Sequence, residues 1–218
     1  MRSLRIIIMA KAPQAGKAKT RLISALGAQG AAELAGHMLA HTARQALAAA
    51  VGAVELCVSP APGDLAWRSL EPMLGGTLAW SDQGEGDLGM RMARAARRGC
   101  AGGDAVMLIG TDCPALDATA LRRAAAALLE TDATLVPTFD GGYALLGMKR
   151  FHPSLFEDIA WSTDSVAFDT QCRLSALGWS VRTHPVVHDI DEPADLCHLP
   201  SLWRAALRGE RAHGMPAP

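Results

Sequence analysis

Short apolar segments alternate with longer segments of helical character along the first 130 residues, and this alternation narrows the choice of fold more than any other feature. Segments 4–9, 54–58, 77–80 and 105–109 have the length and mostly apolar character of buried strands. Segments 28–50, 64–73, 88–98 and 118–130 are predicted to be helices. Apolar strands of this kind need a layer of helices on each side of a largely parallel sheet. The sequence therefore predicts a doubly wound α/β fold.

The pattern changes after residue 130. Segments 134–136 and 143–148 flank the turn Asp140-Gly141-Gly142, and a further extended segment covers 179–187. Helices are predicted over 164–177 and 193–207. We therefore expect a mixed sheet with antiparallel pairing late in the chain. No repeat or linker divides the sequence, which predicts a single domain over 1–209 and a flexible tail over 210–218.

Composition excludes several classes of protein. Half of the 218 residues are hydrophobic and a fifth are charged, the balance of one globular domain. The five cysteines are odd in number and contain no C-x-x-C, which excludes a zinc ribbon and a disulfide scaffold. Only four strongly apolar residues, 6–9, precede Lys11, so we expect a cytoplasmic protein without a membrane partner. A net charge of −1 excludes a generally basic nucleic-acid binder.

Positive charge is concentrated at the start of the chain. Residues 1–32 carry six cations and no acidic residue, against 15 cations and 22 acidic residues in the remainder. The loop after the first predicted strand contains Lys11, Gly16, Lys17, Lys19 and Arg21. Ligands of open α/β sheets bind beyond the carboxyl ends of the strands, so this loop is predicted to bind a polyphosphate. It is not a Walker A loop, because Ala18 stands where Ser or Thr is needed, and a solvated basic loop is the alternative.

Two acidic segments are candidates for a divalent metal site. Asp112 follows a buried strand in the turn Gly110-Thr111-Asp112-Cys113-Pro114, where a carboxylate can hold a hard cation that bridges phosphates. Asp189 and Asp191 lie on one face of an extended segment, with Ile190 opposite. Because Pro193 opens the next predicted helix, Asp191 is equally well explained as a helix cap.

Two glycine-rich turns have both a structural and a functional interpretation. Asp140-Gly141-Gly142-Tyr143 is typical of a hairpin turn, but its glycines also allow a ligand to approach the backbone. In Gln83-Gly84-Glu85-Gly86-Asp87-Leu88-Gly89, Asp87 caps a helix or lines a nucleotide pocket. His37 and His41 have zinc-ligand spacing, but Met38 stands where a zincin has Glu, which favours a plain helix surface. Cys113 has no cationic neighbour in sequence and is interpreted as structural.

Six motifs, in order, resemble one bacterial family over about residues 5–200. They are Lys11-Ala12-Pro13 with Gly16 and Lys19-Thr20-Arg21-Leu22; Gly86-Asp87-Leu88-Gly89 with Arg91-Met92; Gly110-Thr111-Asp112-Cys113-Pro114; Asp140-Gly141-Gly142-Tyr143; Trp161-Ser162-Thr163; and Asp189-Ile190-Asp191. The family is that of glycosyltransferases associated with radical-SAM and arsenosugar-type gene clusters. The lysine-rich loop and the late Asp-x-Asp-x-Pro also resemble 2-phospholactate guanylyltransferases.

The resemblance implies a Rossmann-like, three-layer α/β/α fold of the GT-A nucleotide-diphospho-sugar transferase type. It implies that Lys11, Lys19 and Arg21 contact nucleotide phosphates and that Asp112 is the metal-binding aspartate, with Mg²⁺ or Mn²⁺ as the ion. Asp191 resembles the second ligand, and Asp189 is the alternative. The chain departs from related patterns because it lacks the G-x-G-x-R loop of sugar nucleotidyltransferases and a literal Asp-x-Asp at 111–113.

Three functions follow as expectations. The first is transfer of a sugar from a nucleotide-diphospho-sugar to a small acceptor, with Asp140 orienting or deprotonating the acceptor hydroxyl. The second is transfer of a nucleotide from a nucleoside triphosphate to a phosphorylated acid, with release of pyrophosphate. The third is a nucleotide-binding protein without catalysis. The predicted nucleotide-binding residues are Lys11, Gly16, Lys19, Arg21, Gln83, Asp87, Gly89, Gly141 and Gly142.

Overall fold

One seven-stranded sheet forms the centre of the computed structural model, which describes residues 3–68, 70–74 and 78–207. The strands are β1 (Leu4–Lys11), β2 (Ala53–Ser59), β3 (Ala79–Asp82), β4 (Ala105–Ile109), β5 (Ala133–Pro137), β6 (Tyr143–Met148) and β7 (Val181–Thr183). Their order in the sheet is β3-β2-β1-β4-β6-β5-β7. Only β6 runs antiparallel to its neighbours, β4 and β5. The predicted mixed sheet with late antiparallel pairing is confirmed.

Helices cover both faces of the sheet. They are α1 (Ile23–Ala49), α2 (Glu71–Leu74), α3 (Leu88–Cys100), α4 (Ala118–Glu130), α5 (Val166–Ala176) and α6 (Ser201–Leu207). Residues of α1, α2 and α4 pack with Ile6 and Ile8 of β1 in one core. Residues of α3 and α5 pack with Ile7 on the opposite face. The alternation of these three isoleucines in β1 shows why an apolar strand requires two helical layers.

The structure corrects the bounds of several elements. The predicted helix 64–73 is two short pieces, a 3-10 helix over Leu65–Trp67 and α2. The predicted third strand lies two residues later, at Ala79–Asp82, and Thr77 lies outside the described residues. The predicted helix 193–207 is a 3-10 helix, Pro193–His198, followed by α6, because Pro200 interrupts it. The predicted tail, 210–218, lies outside the described residues. Among the helices described, none is both long and apolar enough to cross a membrane.

The topology determines where a ligand binds. Strands β2 and β3 lie on one side of β1, whereas β4 pairs with its other side. The chain therefore reverses direction across the sheet between β1 and β4. Crevices open beyond the carboxyl ends of strands at such a switch point. The loops after Lys11 and Ile109 meet there.

Candidate functional site

A cleft with a volume of about 890 Å³ lies at the carboxyl ends of β1 and β4. It brings together most of the residues predicted from sequence. Those that line it are Lys11, Lys19, Arg21, Gln83, Asp112, Asp140, Gly142, Asp189 and Asp191. Gly16, Asp87, Gly89 and Gly141 do not line it. We call the lining cations Lys11, Lys17 and Arg21 the basic wall of the cleft, and the lining carboxylates Asp112, Asp140, Asp189 and Asp191 its acidic wall.

The first loop is a compact turn held by its own backbone. The backbone N–H groups of Lys17 and Ala18 both donate to the carbonyl of Gln14. Gly16 has φ +77°, a value that suits glycine and closes the turn. Lys11 and Lys17 are exposed at the cleft. These two lysines are placed to meet an anion, although sequence reasoning assigned a contact only to Lys11.

Lys19 lies inside the acidic wall of the cleft. Its ammonium is 2.6 Å from Oδ1 of Asp112 and 2.5 Å from Oδ1 of Asp191. The Lys19 side chain is only 8% exposed. Burial by itself lowers the pKa of Lys19, but the charges and hydrogen bonds of Asp112 and Asp191 outweigh it and raise the pKa above its ordinary value. Lys19 is therefore charged at neutral pH and bridges the two aspartates predicted to bind metal.

Backbone contacts fix the position of Asp191. Ile190 is fully buried against residues of α1, and its N–H donates to the carbonyl of Asp112. The carboxylate of Asp195 accepts from the N–H groups of Asp191 and Glu192 at 3.0 and 2.7 Å. The N-cap of the following 3-10 helix is Glu192, which forms a capping box with Asp195. This arrangement leaves the Asp191 side chain free for the cleft, so the capping interpretation of Asp191 is wrong.

The carboxylates of Asp112 and Asp191 fit a divalent cation as a two-ligand site. Their Oδ1 atoms converge on one point, which the Lys19 ammonium occupies. Within residues 3–68, 70–74 and 78–207, no group of three His, Cys, Asp or Glu side chains is arranged to hold a metal ion. Mg²⁺ commonly binds one or two carboxylates and completes its shell with phosphate oxygens and water. The pair therefore suits a metal that arrives with phosphate.

Asp189 lies beside this pair on the same face. Burial raises the pKa of Asp189 to about 6, and the negative charges of Asp140, Asp191 and Asp195 add to the effect. The acidic wall is therefore crowded with like charge. A cation or a hydrogen-bond donor bound there would relieve that repulsion.

Asp140 is held in a turn at the rim of the cleft. Its Oδ1 accepts from the hydroxyl of Thr138 at 2.5 Å and from the N–H of Gly142 at 2.9 Å. The hairpin interpretation of this turn is confirmed, and Asp140 still lines the cleft. Gly141 serves packing, because a Cβ there would lie 2.0 Å from the carbonyl oxygen of Asp164. A role for Asp140 toward an acceptor remains a prediction.

Residues of the second glycine-rich segment, 83–89, make hydrogen bonds and packing contacts within the protein. Gln83 is buried, and its amide donates to the carbonyls of Ala10 and Cys57 at 3.0 Å each. Asp87 caps α3 through the N–H of Met90 at 2.8 Å. Gly89 leaves room for Trp161, whose Nε1 would be 2.4 Å from a Cβ at that position. These contacts give Gln83, Asp87 and Gly89 structural roles, and Gln83 also lines the cleft. Their predicted ligand contacts stay predictions.

The motif Trp161-Ser162-Thr163 forms a wall of the cleft that sequence reasoning left without a role. Ser162 has φ +66°, a left-handed conformation that only a defined turn imposes on serine. The hydroxyl of Thr163 donates to the carbonyl of Ala160 at 2.7 Å. The unusual run of Trp, Ser and Thr after a polar turn is the signal that could have identified this wall.

The remaining sequence candidates have structural roles. His37 is exposed, whereas the Nε2 of His41 donates to the carbonyl of Pro114 at 3.1 Å and its ring packs edge-on against Trp203. Burial lowers the pKa of His41, so the ring is neutral. Cys113 is buried, and burial raises the pKa of its thiol. Both observations agree with the structural interpretations made from sequence.

Comparisons with known proteins agree with this geometry. The model of a protein family described as "Uncharacterized protein conserved in bacteria (DUF2064)" matches residues 9–163, a range that includes five of the six motifs. A comparison with curated proteins gives no match. A crystal structure of a "putative nucleotide-diphospho-sugar transferase" from Desulfovibrio desulfuricans G20 is 29% identical, over 96% of this chain and 95% of that one, with a TM-score of 0.82. The association with particular gene clusters stays a prediction.

Two more distant structures share the fold. The 4-diphosphocytidyl-2C-methyl-D-erythritol synthase of Anaerococcus prevotii DSM 20548 is 13% identical, over 95% of this chain and 96% of that one, with a TM-score of 0.58. A CMP:2-keto-3-deoxy-manno-octonic acid synthetase complexed with CTP is 14% identical, over 96% and 100% of the two chains, with a TM-score of 0.52. The predicted Rossmann-like fold of nucleotide-diphospho-sugar transferases is thereby confirmed.

Proposed function

The chain belongs to this bacterial family, and we propose that it is a metal-assisted transferase that moves a sugar from a nucleotide-diphospho-sugar to a small-molecule acceptor. The observation that carries the proposal is the meeting of Lys19, Asp112 and Asp191 in one cleft that the exposed Lys11 and Lys17 also line. Such a combination of cations and carboxylates suits a diphosphate that binds together with a divalent ion. The similarity to the Desulfovibrio protein supports the donor class.

In the proposed sugar transfer, negative charge develops on the leaving nucleoside diphosphate. The bond between the anomeric carbon and the diphosphate oxygen breaks, the acceptor oxygen bonds to that carbon, and the hydroxyl proton passes to a carboxylate base, for which Asp140 is the candidate. The departing nucleoside diphosphate gains negative charge, which Lys11, Lys17 and Arg21 stabilise from the basic wall. A bound Mg²⁺ or Mn²⁺ on Asp112 and Asp191 would supply further charge neutralisation. Asp140 lines the same cleft, where it can accept a hydrogen bond from the acceptor hydroxyl.

Nucleotidyl transfer is the alternative, because the fold is shared with two nucleotide-forming synthases. The same cations and carboxylates would then hold a nucleoside triphosphate, and a phosphorylated acid would attack its α-phosphorus. Pyrophosphate would leave instead of a nucleoside diphosphate. Such a reaction depends mainly on positioning and electrostatics, so it requires little beyond the residues already in the cleft.

A thermal-shift panel tests the proposal directly. Nucleotides and nucleotide sugars are each added with and without Mn²⁺, and a donor that raises the melting temperature only with metal identifies both ligand class and cofactor. Product analysis with that donor then separates the reactions. Release of a nucleoside diphosphate supports sugar transfer, and release of pyrophosphate supports nucleotidyl transfer. Binding without turnover of any donor would contradict both and leave the non-catalytic nucleotide-binding protein.

A further inference from the structure

The position that converging carboxylates offer to a metal ion is filled by a side chain of the protein itself. The Lys19 ammonium touches the same oxygens, Oδ1 of Asp112 and Oδ1 of Asp191, that would coordinate the ion. Metal–oxygen distances of about 2.0–2.6 Å place a Mg²⁺ or Ca²⁺ ion close to where this nitrogen lies. Two cations cannot share the point. A metal ion that binds both of these Oδ1 atoms can enter only if Lys19 leaves them.

We propose that Lys19 is the resident counter-ion of Asp112 and Asp191 and is exchanged for a divalent ion that arrives together with a diphosphate. The ion takes the two carboxylates, and the released ammonium pairs with a phosphate oxygen. Lys19 is thus a positioning residue that couples metal binding to nucleotide binding. This inference rests on the proposed metal ligands of the transferase, Asp112 and Asp191.

The coupling follows from the cost of leaving a charge unpaired. Lys19 is nearly buried, so an ion that displaced it alone would leave an ammonium without its two anionic partners. A diphosphate removes that cost, because it brings oxygens that accept the ammonium and also coordinate the ion. The metal therefore binds weakly without the diphosphate, and each ligand strengthens the other by the same factor.

The backbone at Lys19 is suited to such an exchange. Lys19 has φ 46° and ψ 48°, a left-handed conformation that residues with a side chain seldom adopt, and its ion pairs hold it there. Gly16 lies three residues earlier at φ +77°, and a Cβ built on it meets no described atom within 4 Å. The loop that carries Lys19 is thus bordered by open space at Gly16.

Mn²⁺ titration of the purified full chain by calorimetry, without nucleotide, tests the exchange. We expect Lys19→Met to bind Mn²⁺ at least about tenfold more tightly than the wild type, because the carboxylate pair is vacated. The matched control is Lys149→Met, which replaces a lysine that follows β6 and does not line the cleft, and which should bind Mn²⁺ as the wild type does. Lys19→Arg keeps a cation at the pair and should also bind weakly. Adding Asp112→Asn to Lys19→Met should cancel the gain.

The second readout is the synergy between metal and diphosphate in the wild type. Inorganic pyrophosphate and Mn²⁺ together should raise its melting temperature by more than the sum of their separate effects, and Lys19→Met should lose this excess. Equal Mn²⁺ affinity of wild type and Lys19→Met would overturn the exchange, and Lys19→Gln provides the same comparison if the methionine variant does not fold. Failure of the transferase proposal would appear differently, as absence of turnover with every donor.

Discussion

The ammonium of Lys19 lies 2.5 Å from the carboxylate of Asp191, although 172 positions separate the two residues in the chain. The contact joins the first loop of the protein to its last extended segment. Asp112, which follows β4, completes the group at 2.6 Å. The cleft is therefore assembled from three distant segments, and substitutions at each of them have separable consequences.

Asp112→Asn should reduce activity by at least about 100-fold, whichever of the two transfers the protein catalyses. The amide keeps the size of the side chain but removes the charge that would hold a metal ion and that pairs with Lys19. Turnover is measured with the donor found in the thermal-shift panel, and circular dichroism verifies the fold. The control is Asp104→Asn, which lies before the amino end of β4, away from the cleft, and should keep full activity. A fully active Asp112→Asn protein would remove the metal assignment.

Substitution of two aspartates in one segment should have different effects, one on stability and the other on activity. Asp195→Ala removes the acceptor of two backbone N–H groups and should lower the free energy of unfolding by about 1 kcal/mol. Asp191→Ala leaves that cap intact but removes a partner of Lys19, so it should mainly lower turnover and Mn²⁺-dependent donor binding. Urea unfolding and donor titration measure the two effects. If Asp191→Ala lost stability alone and kept activity, Asp189 would replace it as the candidate ligand.

Local sequence signals predicted the parts of this protein that local physics determines. The buried strand Ala105–Ile109 was predicted with its observed bounds, because a short, continuous apolar run is typical of a buried strand. The cap at Asp87, one of the two roles predicted for that residue, also follows from local hydrogen bonding. The acidic and basic segments of the cleft were predicted for the same reason, since each is unusual in its own neighbourhood.

The partners of those segments were not predictable from one sequence. The phosphate contact of Lys19 stays a prediction, but its bridge between Asp112 and Asp191 could not be predicted, because only the folded topology brings the three together. The ligand contact of Gln83 also stays a prediction, and the bonds from its amide nitrogen to the carbonyls of two neighbouring strands could not be predicted either. Contacts of this kind depend on register and on distant backbone, which residue spacing does not encode.

Gly89→Ala should disturb the Trp161 wall of the cleft. A Cβ at this position would lie 2.4 Å from Nε1 of Trp161 and 2.6 Å from the carbonyl oxygen of Phe156. The steric cost of such overpacking, about 1–3 kcal/mol, exceeds the gain of about 1 kcal/mol that alanine brings to a helix. Urea unfolding should therefore show a net loss of stability, and donor affinity should fall because Trp161 lines the cleft.

The control for this substitution is Gly102→Ala. A Cβ at Gly102 would meet its nearest described neighbour, Oδ2 of Asp104, at 4.0 Å, which is ordinary contact. Its stability should stay within about 0.5 kcal/mol of the wild type. Unchanged stability and donor affinity in Gly89→Ala would show that the segment 156–161 adjusts without cost and that Trp161 is not fixed by this glycine.

Glu55→Gln should destabilise the protein at neutral pH but not in acid. Glu55 is 5% exposed, and its carboxylate accepts from Ser81 at 2.6 Å and pairs with Arg98 and Arg5. Burial by itself would raise the pKa of Glu55, but the hydrogen bonds from Ser81 and Arg98 and the two arginine charges hold the pKa below its ordinary value. The carboxylate therefore stabilises the fold at pH values above that ordinary value, about 4.3, and the contribution disappears as pH falls through the lowered pKa.

Urea unfolding at pH 7 should show a loss of about 1–3 kcal/mol in Glu55→Gln, because a buried charged acceptor is replaced by a neutral one beside two arginines. The difference from the wild type should shrink as the pH is lowered below about 4, since protonated Glu55 and glutamine are then equally uncharged. The control is Glu130→Gln, an exposed residue at the end of α4, which should change stability by less than about 0.5 kcal/mol at either pH. A deficit in Glu55→Gln that stays constant from pH 7 to pH 3 would mean that packing around the amide, and not the charge of Glu55, stabilises this part of the sheet.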